Sequence, residues 1–130
     1  MRIAGVIARY LLGLMFTVFG LNGFLQFVHQ PPPTTPLALQ FFLAITTSHF
    51  SAFFFAVQLV GGLLLLSGYF VPLALVLTAA EIFNILAFHL TMAPATISPG
   101  LLAAVLWVLV FLQHRQSFTG VLSAKPVSQG

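Results

Sequence analysis

Long apolar runs, separated by short breaks of polar residues, prolines or glycines, make up most of this chain. The runs cover residues 3–28, 51–67, 71–92 and 99–114. A helix needs about 20 mainly apolar residues to cross the hydrocarbon of a bilayer; the last run is short but can continue to Phe118. The pattern predicts an all-α, polytopic membrane protein whose four transmembrane helices form an antiparallel bundle.

The breaks contain the residues that begin and end helices. Three consecutive prolines at 31–33 follow the first run, and proline stops a helix because it lacks the backbone N–H. Gly68 suits the C-terminal end of the second helix, and Pro72 the first turn of the third. Ser98 and Pro99 are typical of a helix start.

The linker between the first two runs contains one shorter element. Thr35 and Pro36 are another typical helix start, and residues 37–45 are apolar but too short to span. We predict a short interfacial or re-entrant helix in the first outer loop, either lying on the membrane surface or covering the bundle as a lid. Residues 1–118 are assigned to one membrane domain, and the small, polar residues 119–130 to a disordered tail.

The composition supports a membrane location. The 130 residues are 60% hydrophobic and 4% charged, with a mean hydropathy of +1.12, whereas soluble domains carry about 25% charged residues. The chain has no cysteine, which excludes disulfides and thiolate metal sites. Any redox role therefore needs a bound cofactor or a partner protein.

All the positive side chains lie near the ends of the chain: Arg2, Arg9, Arg115 and Lys125. This distribution does not form a nucleic-acid-binding surface. Positive residues favour the cytoplasmic side of a membrane, and four spans place both termini on one side. We therefore predict a bacterial inner-membrane protein with cytoplasmic termini, in which Arg9 reaches out to the lipid headgroups.

Glu81 is the only acidic residue, and it lies in the middle of the third run. A charged side chain at a membrane helix centre costs roughly 2.5–3.5 kcal/mol, and such residues usually face the bundle interior and mark a functional site. Burial disfavours the charged form of a carboxyl. Glu81 is therefore expected to be neutral and to donate a hydrogen bond to Gln58, Asn84 or a ligand carbonyl.

Other polar residues are predicted at a similar depth. Asn22, Gln26 and His29 are spaced to form one stripe on the first helix, and Asn84 neighbours Glu81 on the third helix. These residues either hydrogen-bond the helices to one another, as polar groups in membrane helices often do, or line a cavity that binds a ligand.

The second and third helices, with the loop between the first two, supply the remaining candidates. Gln58 and His89 complete the predicted ligand-binding set, and His29 and His49 are predicted at its outer mouth. No short metal-ligand spacing is present. We predict no metal site, and the histidine pattern does not favour a haem.

Three segments resemble the DoxX family of small bacterial membrane proteins. They are ARYLLGLMFTVFGLNGFLQF at 8–27, VGGLLLLSGYFVPLAL at 60–75 and FNILAFHL at 83–90. Their order and spacing, with the proline-rich linker, extend the resemblance from about residue 7 to 112. The resemblance implies a four-helix membrane bundle, with one branch associated with thiosulfate:quinone oxidoreductase and others with oxidative-stress complexes of the membrane.

The chain departs from that family at two positions. Relatives often have a glutamate about where Gln58 stands, and an apolar residue or proline about where Glu81 stands. The resemblance thus implies a shared polar site in which the carboxyl has moved to another helix.

The favoured function is the binding of a lipid-soluble small molecule, most plausibly a quinone, for a redox protein partner. Quinone carbonyls accept hydrogen bonds, and the polar candidates would supply donors inside an apolar envelope. The chain would then be at most a subunit of a quinone-linked oxidoreductase, and we assign no catalytic residue. A non-catalytic scaffold and a small transporter are the alternatives; a transporter would need a homo-oligomer, because four helices without an internal repeat are few for alternating access.

Overall fold

The protein was analysed as a computed structural model that describes residues 2–128, and this part of the chain is helical with no strand. The helices are α1 (Arg2–Leu25), α2 (Pro36–Thr47), α3 (Phe50–Ser67), α4 (Val71–Met92) and α5 (Ser98–His114), with short 3-10 turns at Pro94–Thr96 and Arg115–Phe118. The predicted all-helical class is confirmed.

Four of these helices are long and apolar enough to cross a membrane. They are α1, α3, α4, and α5 together with the 3-10 turn that extends it to Phe118. The chain therefore has the make-up of a multi-pass membrane protein. At 12 residues, α2 is too short to span.

Glycines on α1 allow α3 to pack closely against it. Gly13 lies against Leu66 and Gly20 against Leu59 of α3, so residue numbers rise along α1 as they fall along α3. These two helices are antiparallel. Their backbones come close because small residues leave no side chain between them.

Helix α5 lies against both α1 and α4. The Gln113 side chain lies over Gly5, near the start of α1, and the Trp107 indole Nε1 donates to the carbonyl of Leu75 on α4 at 2.9 Å. Apolar side chains fill the interior, and the largest of those fully buried are Leu12, Phe16, Leu65, Leu75 and Val110. The outer surface is also apolar, as expected for a surface that faces lipid.

Helix α1 ends three residues before its predicted end, and Asn22 accounts for the difference. Its side chain accepts from the N–H of Val28 at 2.7 Å and donates to the carbonyl of Val28 at 3.1 Å. Gln26 takes a left-handed conformation with φ 52°. Because the helix stops at Leu25, the predicted stripe of Asn22, Gln26 and His29 does not form.

Arg9 bonds to the neighbouring helix α3 and does not simply reach outward as predicted. Its Nη1 donates to the carbonyl of Leu65 in the last turn of α3, and its guanidinium lies 4.4 Å from the ring centre of Tyr10. A cation is favourable at a helix C-terminus because the carbonyls there carry partial negative charge.

The structure covers only part of the segments predicted at the two ends of the chain. Met1, Gln129 and Gly130 lie outside the described residues. In the predicted tail, the Val121 N–H donates to the carbonyl of Phe118 at 3.1 Å in a turn. The disorder of residues 119–130 stays a prediction.

The contact between α1 and α3 predicts that Gly62→Ala destabilises the fold. A methyl group there would lie 2.6 Å from the backbone nitrogen of Thr17, so the two helices must separate. We expect a loss of about 1–3 kcal/mol, seen as a lower thermal unfolding midpoint in detergent. Gly120→Ala is the control, because no atom lies within 4 Å of the added group; equal midpoints for both variants would contradict the expectation.

Candidate functional site

Buried polar side chains from three helices come to one level of the bundle. On α3 and α4, Gly61 lies against the methyl group of Thr78. Because these two helices are joined by a short loop and run in opposite directions, Gln58, three residues before Gly61, comes level with Glu81, three residues after Thr78. Gln58 and Glu81 are both 5% exposed.

Asn22 reaches the same level from α1. Gly20 lies against Leu59, so the antiparallel register brings Asn22, two residues further along, close to the level of Gln58. Asn22 is 7% exposed. The structure therefore places the amides of Asn22 and Gln58 and the carboxyl of Glu81 at one depth.

Glu81 is the residue whose bonding is incomplete. Its Oε2 atom is buried and has no hydrogen-bond partner among residues 2–128, Gln58 included. A buried polar group left unsatisfied costs about 1–3 kcal/mol. Such a group in a native fold calls for an explanation, for example a bound molecule or a catalytic role.

A second unsatisfied oxygen lies one turn away. Thr17 Oγ1 on α1 is buried without a partner in the described part of the chain, and it faces Gly62 of α3. In the antiparallel register Gly62 is about one turn from Gln58, so this oxygen lies roughly 6 Å below the Gln58–Glu81 level. Sequence reasoning did not select Thr17; the paired glycines opposite it were the available signal.

Thr78, which sequence reasoning also left out, is satisfied by its own helix. It is fully buried, and its hydroxyl donates to the carbonyl of Ala74 at 2.8 Å. Its methyl group faces Gly61. Thr78 therefore fills the contact between α3 and α4 beside Glu81 and offers no free donor.

Arg9 is the positive side chain of α1 that lies within the membrane span, and it is far from Glu81. Arg9 is bonded at the end of α3 to Leu65, seven residues along the helix from Gln58. That corresponds to roughly 10 Å along the axis. Arg9 is therefore too far from Glu81 to form an ion pair with it.

Two predicted binding residues lie away from this level. Asn84 is exposed, and its amide donates to the carbonyl of Ala80 on its own helix at 2.9 Å. Gln26 is exposed beyond the end of α1. Helical spacing placed both residues beside the site, but the rotation of α4 and the early end of α1 turn them away from it.

The three candidate histidines lie nearer the α2 end of the bundle than Glu81 does. The Nδ1 atom of half-buried His89 is 2.8 Å from the carbonyl of Ile85, and its ring packs edge-on against Phe88. His29 and His49 are exposed. Within residues 2–128 no group of three or more His, Cys, Asp or Glu could hold a metal ion.

Helix α2 covers the end of the bundle that lies beyond Glu81. Phe88, two turns along α4 on the face of Glu81, packs against Phe41 of α2 with 5.3 Å between ring centres. The Thr35 hydroxyl donates to the carbonyl of Met92, at the end of α4, at 2.7 Å. Thr35 is the N-cap residue of α2 as the sequence predicted, but its hydroxyl ties α2 to α4 and makes no capping hydrogen bond.

Glu81, Gln58 and Asn22 do not line either of two surface cavities of the described chain. A groove of about 250 Å³ between α4 and α5 is lined by Ala79, Ile82, Phe83, Leu86, Ala104, Trp107 and Val108. At about 100° per residue, Phe83 lies roughly 160° around α4 from Glu81. The second cavity lies at the opposite end of the chain's spans, beside Arg2 and Arg115.

No known protein family, curated protein or solved structure matches this chain. The resemblance to the DoxX family therefore stays a prediction.

The two asparagines predict contrasting effects of substitution. Asn22→Ala removes both bonds to Val28 and should destabilise the protein by about 1–2 kcal/mol, measured by thermal or denaturant unfolding in detergent. Asn84→Ala is the matched control, because its exposed amide bonds only to its own helix; its effect should stay within about 0.5 kcal/mol. The reverse order would show that Asn22 does not secure the end of α1.

Proposed function

We propose that this chain is a DoxX-like protein of the bacterial inner membrane that binds a lipid-soluble carbonyl compound, with a quinone favoured, at the level of Glu81 and Gln58. The protein would hold this molecule for a redox partner and would be at most a subunit of a quinone-linked oxidoreductase. The positive residues at one end favour cytoplasmic termini.

The unsatisfied Oε2 atom of Glu81 carries the proposal. A carboxyl in the middle of a membrane helix is costly, and its burial without a partner is not needed to hold helices together. A protonated carboxyl donates one hydrogen bond, and the Gln58 amide at the same level has two donors. A ligand carbonyl between them would accept one hydrogen bond from each side chain.

Aromatic side chains on the same side supply the apolar surroundings that ligand sites have. Half-buried Phe54 is one turn from Gln58 on α3, and Phe88 is two turns from Glu81 on α4. We propose that the ligand enters between α2, α3 and α4, where the Phe41–Phe88 contact closes the passage.

In this proposal α2 is an interfacial lid. Its Ala38 is fully buried, while Leu37 and Leu43 are more than half exposed. A helix that buries one side on the bundle and exposes apolar side chains on the other is suited to the boundary between bundle and lipid.

A non-catalytic scaffold is the second candidate, and the tight packing around the site favours it. Gly20 and Gly62 hold α1 and α3 in close contact, and the Asn22 amide serves the end of α1. In a scaffold the polar level would only fix the register of the helices for assembly with partner proteins. The transporter alternative gains no support from the packing of the four spans.

Substitutions of Glu81 distinguish the ligand-binding function from the scaffold function. Glu81→Leu should weaken binding of a short-chain quinone about tenfold, the effect of losing a hydrogen bond worth about 1.4 kcal/mol. Glu81→Gln keeps an N–H donor and should bind nearly as well as the parent. Binding is measured by quenching of Trp107, the single tryptophan.

Asn84→Leu is the control, because it removes an exposed amide on the same helix and should not change quinone binding. Glu81→Leu should also raise the unfolding midpoint, because it removes a buried unsatisfied group. Higher stability with unchanged quinone binding would favour the scaffold and contradict the ligand site.

The tie between α2 and α4 predicts a change in binding rates. Thr35→Val keeps the side-chain shape but removes the bond to Met92, which is worth about 1 kcal/mol. Opening of α2 should become about fivefold more frequent, so stopped-flow quenching should show faster quinone entry and release at similar affinity. The neighbouring exposed Thr34→Val is the control; identical rates in the two variants would contradict a gating role.

A further inference from the structure

A polar notch lies where α1 begins and α5 ends. It has a volume of about 510 Å³ and is lined by Arg2, Leu112, Gln113 and Arg115. Helix α1 positions Gln113, because the Gln113 side chain occupies the space above Gly5 of α1. The notch is therefore formed by the packing of the two helices and not by one helix alone.

The charges around this notch are not balanced by the chain's own acidic side chains. The four Lys and Arg residues are opposed by a single acidic residue, and that residue is Glu81. Glu81 is ten residues from Val71, the start of α4 at this end of the bundle. The separation along the helix axis is roughly 15 Å, so Glu81 cannot pair with Arg2 or Arg115.

Apolar side chains continue from the notch along α5. Leu112, Val108 and Val105 lie on one face of this helix and are 39%, 47% and 58% exposed. A molecule that occupies the notch thus meets two guanidinium groups at one end and a lipid-facing apolar surface at the other. A phospholipid has this distribution of charge and apolar chain, whereas a free phosphate ion matches only the charged part.

We propose that this notch binds the headgroup phosphate of an anionic membrane phospholipid. Arg2 and Arg115 bind the phosphate oxygens, since guanidinium groups hold phosphate through paired hydrogen bonds. The Gln113 amide donates to the same group, and the acyl chains lie along Leu112, Val108 and Val105 of α5. Basic pockets between membrane helices recognise lipid headgroups in this way, and the site is separate from the Glu81 level.

The test compares binding of phosphatidylglycerol and phosphatidylcholine to the full chain in detergent by native mass spectrometry. The parent should bind phosphatidylglycerol more tightly. Arg115→Gln and Arg2→Gln should each weaken that binding about tenfold and leave phosphatidylcholine binding unchanged. Arg115→Lys keeps the charge but loses the paired donors, so it should restore binding only in part.

Lys125→Gln is the matched control, because it removes one positive charge near the same end but outside the notch. It should change phosphatidylglycerol binding by less than about twofold. An equal loss in Lys125→Gln and Arg115→Gln would show general attraction by net charge and overturn the proposal. Equal binding of the two lipids by the parent would overturn it as well.

Competition with inorganic phosphate distinguishes a lipid headgroup from a free phosphate ion as the occupant of the notch. Millimolar phosphate should neither displace phosphatidylglycerol nor raise the unfolding midpoint of the parent. Displacement by phosphate would overturn the lipid assignment in favour of a free anion. Because both arginines are exposed, unchanged gel-filtration profiles of the variants should show that lost binding is not lost folding.

Discussion

The close approach of α1 and α3 is the contact on which the rest of the structure depends. Gly20 meets the backbone of Leu59, and Gly62 meets the backbone of Thr17. Two helix backbones can approach this closely only where no side chain intervenes. The contact sets the antiparallel register of α1 and α3, and that register brings Asn22 level with Gln58. The small residue Gly61 does the same for α3 and α4, because it receives the methyl group of Thr78.

The buried polar residues at and beside the Glu81 level have different roles. Asn22 closes the end of α1, and Thr78 bonds to its own helix. Among residues 2–128, Glu81 is the residue of this level that keeps a buried oxygen without a partner. Since the surrounding helices are tightly packed, a ligand needs the helices to separate slightly, and we propose that they do so at the α2 end. There the Thr35 hydroxyl donates to the carbonyl of Met92, and Phe41 packs against Phe88.

The two ends of the bundle differ in their chemistry. One end has α2, aromatic side chains and histidines, and no Lys or Arg. The other has every Lys and Arg of the chain, with Arg9 turned inward to the carbonyl of Leu65 and Arg2 and Arg115 left at the surface notch. Because the single acidic side chain lies in the middle of the bundle, no acidic side chain balances the cationic end, and we propose that anions outside the chain do so. The membrane is the nearest source of them.

By itself the sequence determined the number of the apolar helices and, except at the end of α1, their extent to within two residues, because hydrophobic length and proline positions decide where a helix can span and stop. It also singled out Glu81, because a lone carboxyl in an apolar run is costly wherever the helix faces. Only the tertiary structure decided which polar residues share a surface. Helical spacing favoured both Asn84 and Asn22, but the rotation of α4 exposes Asn84. The Asn22 side chain bonds to Val28, six residues further on, and α1 ends before Gln26. Helical periodicity defines the angle between residues of one helix, whereas the angle of that helix to its neighbours depends on packing contacts such as those of Gly20, which no local pattern contains.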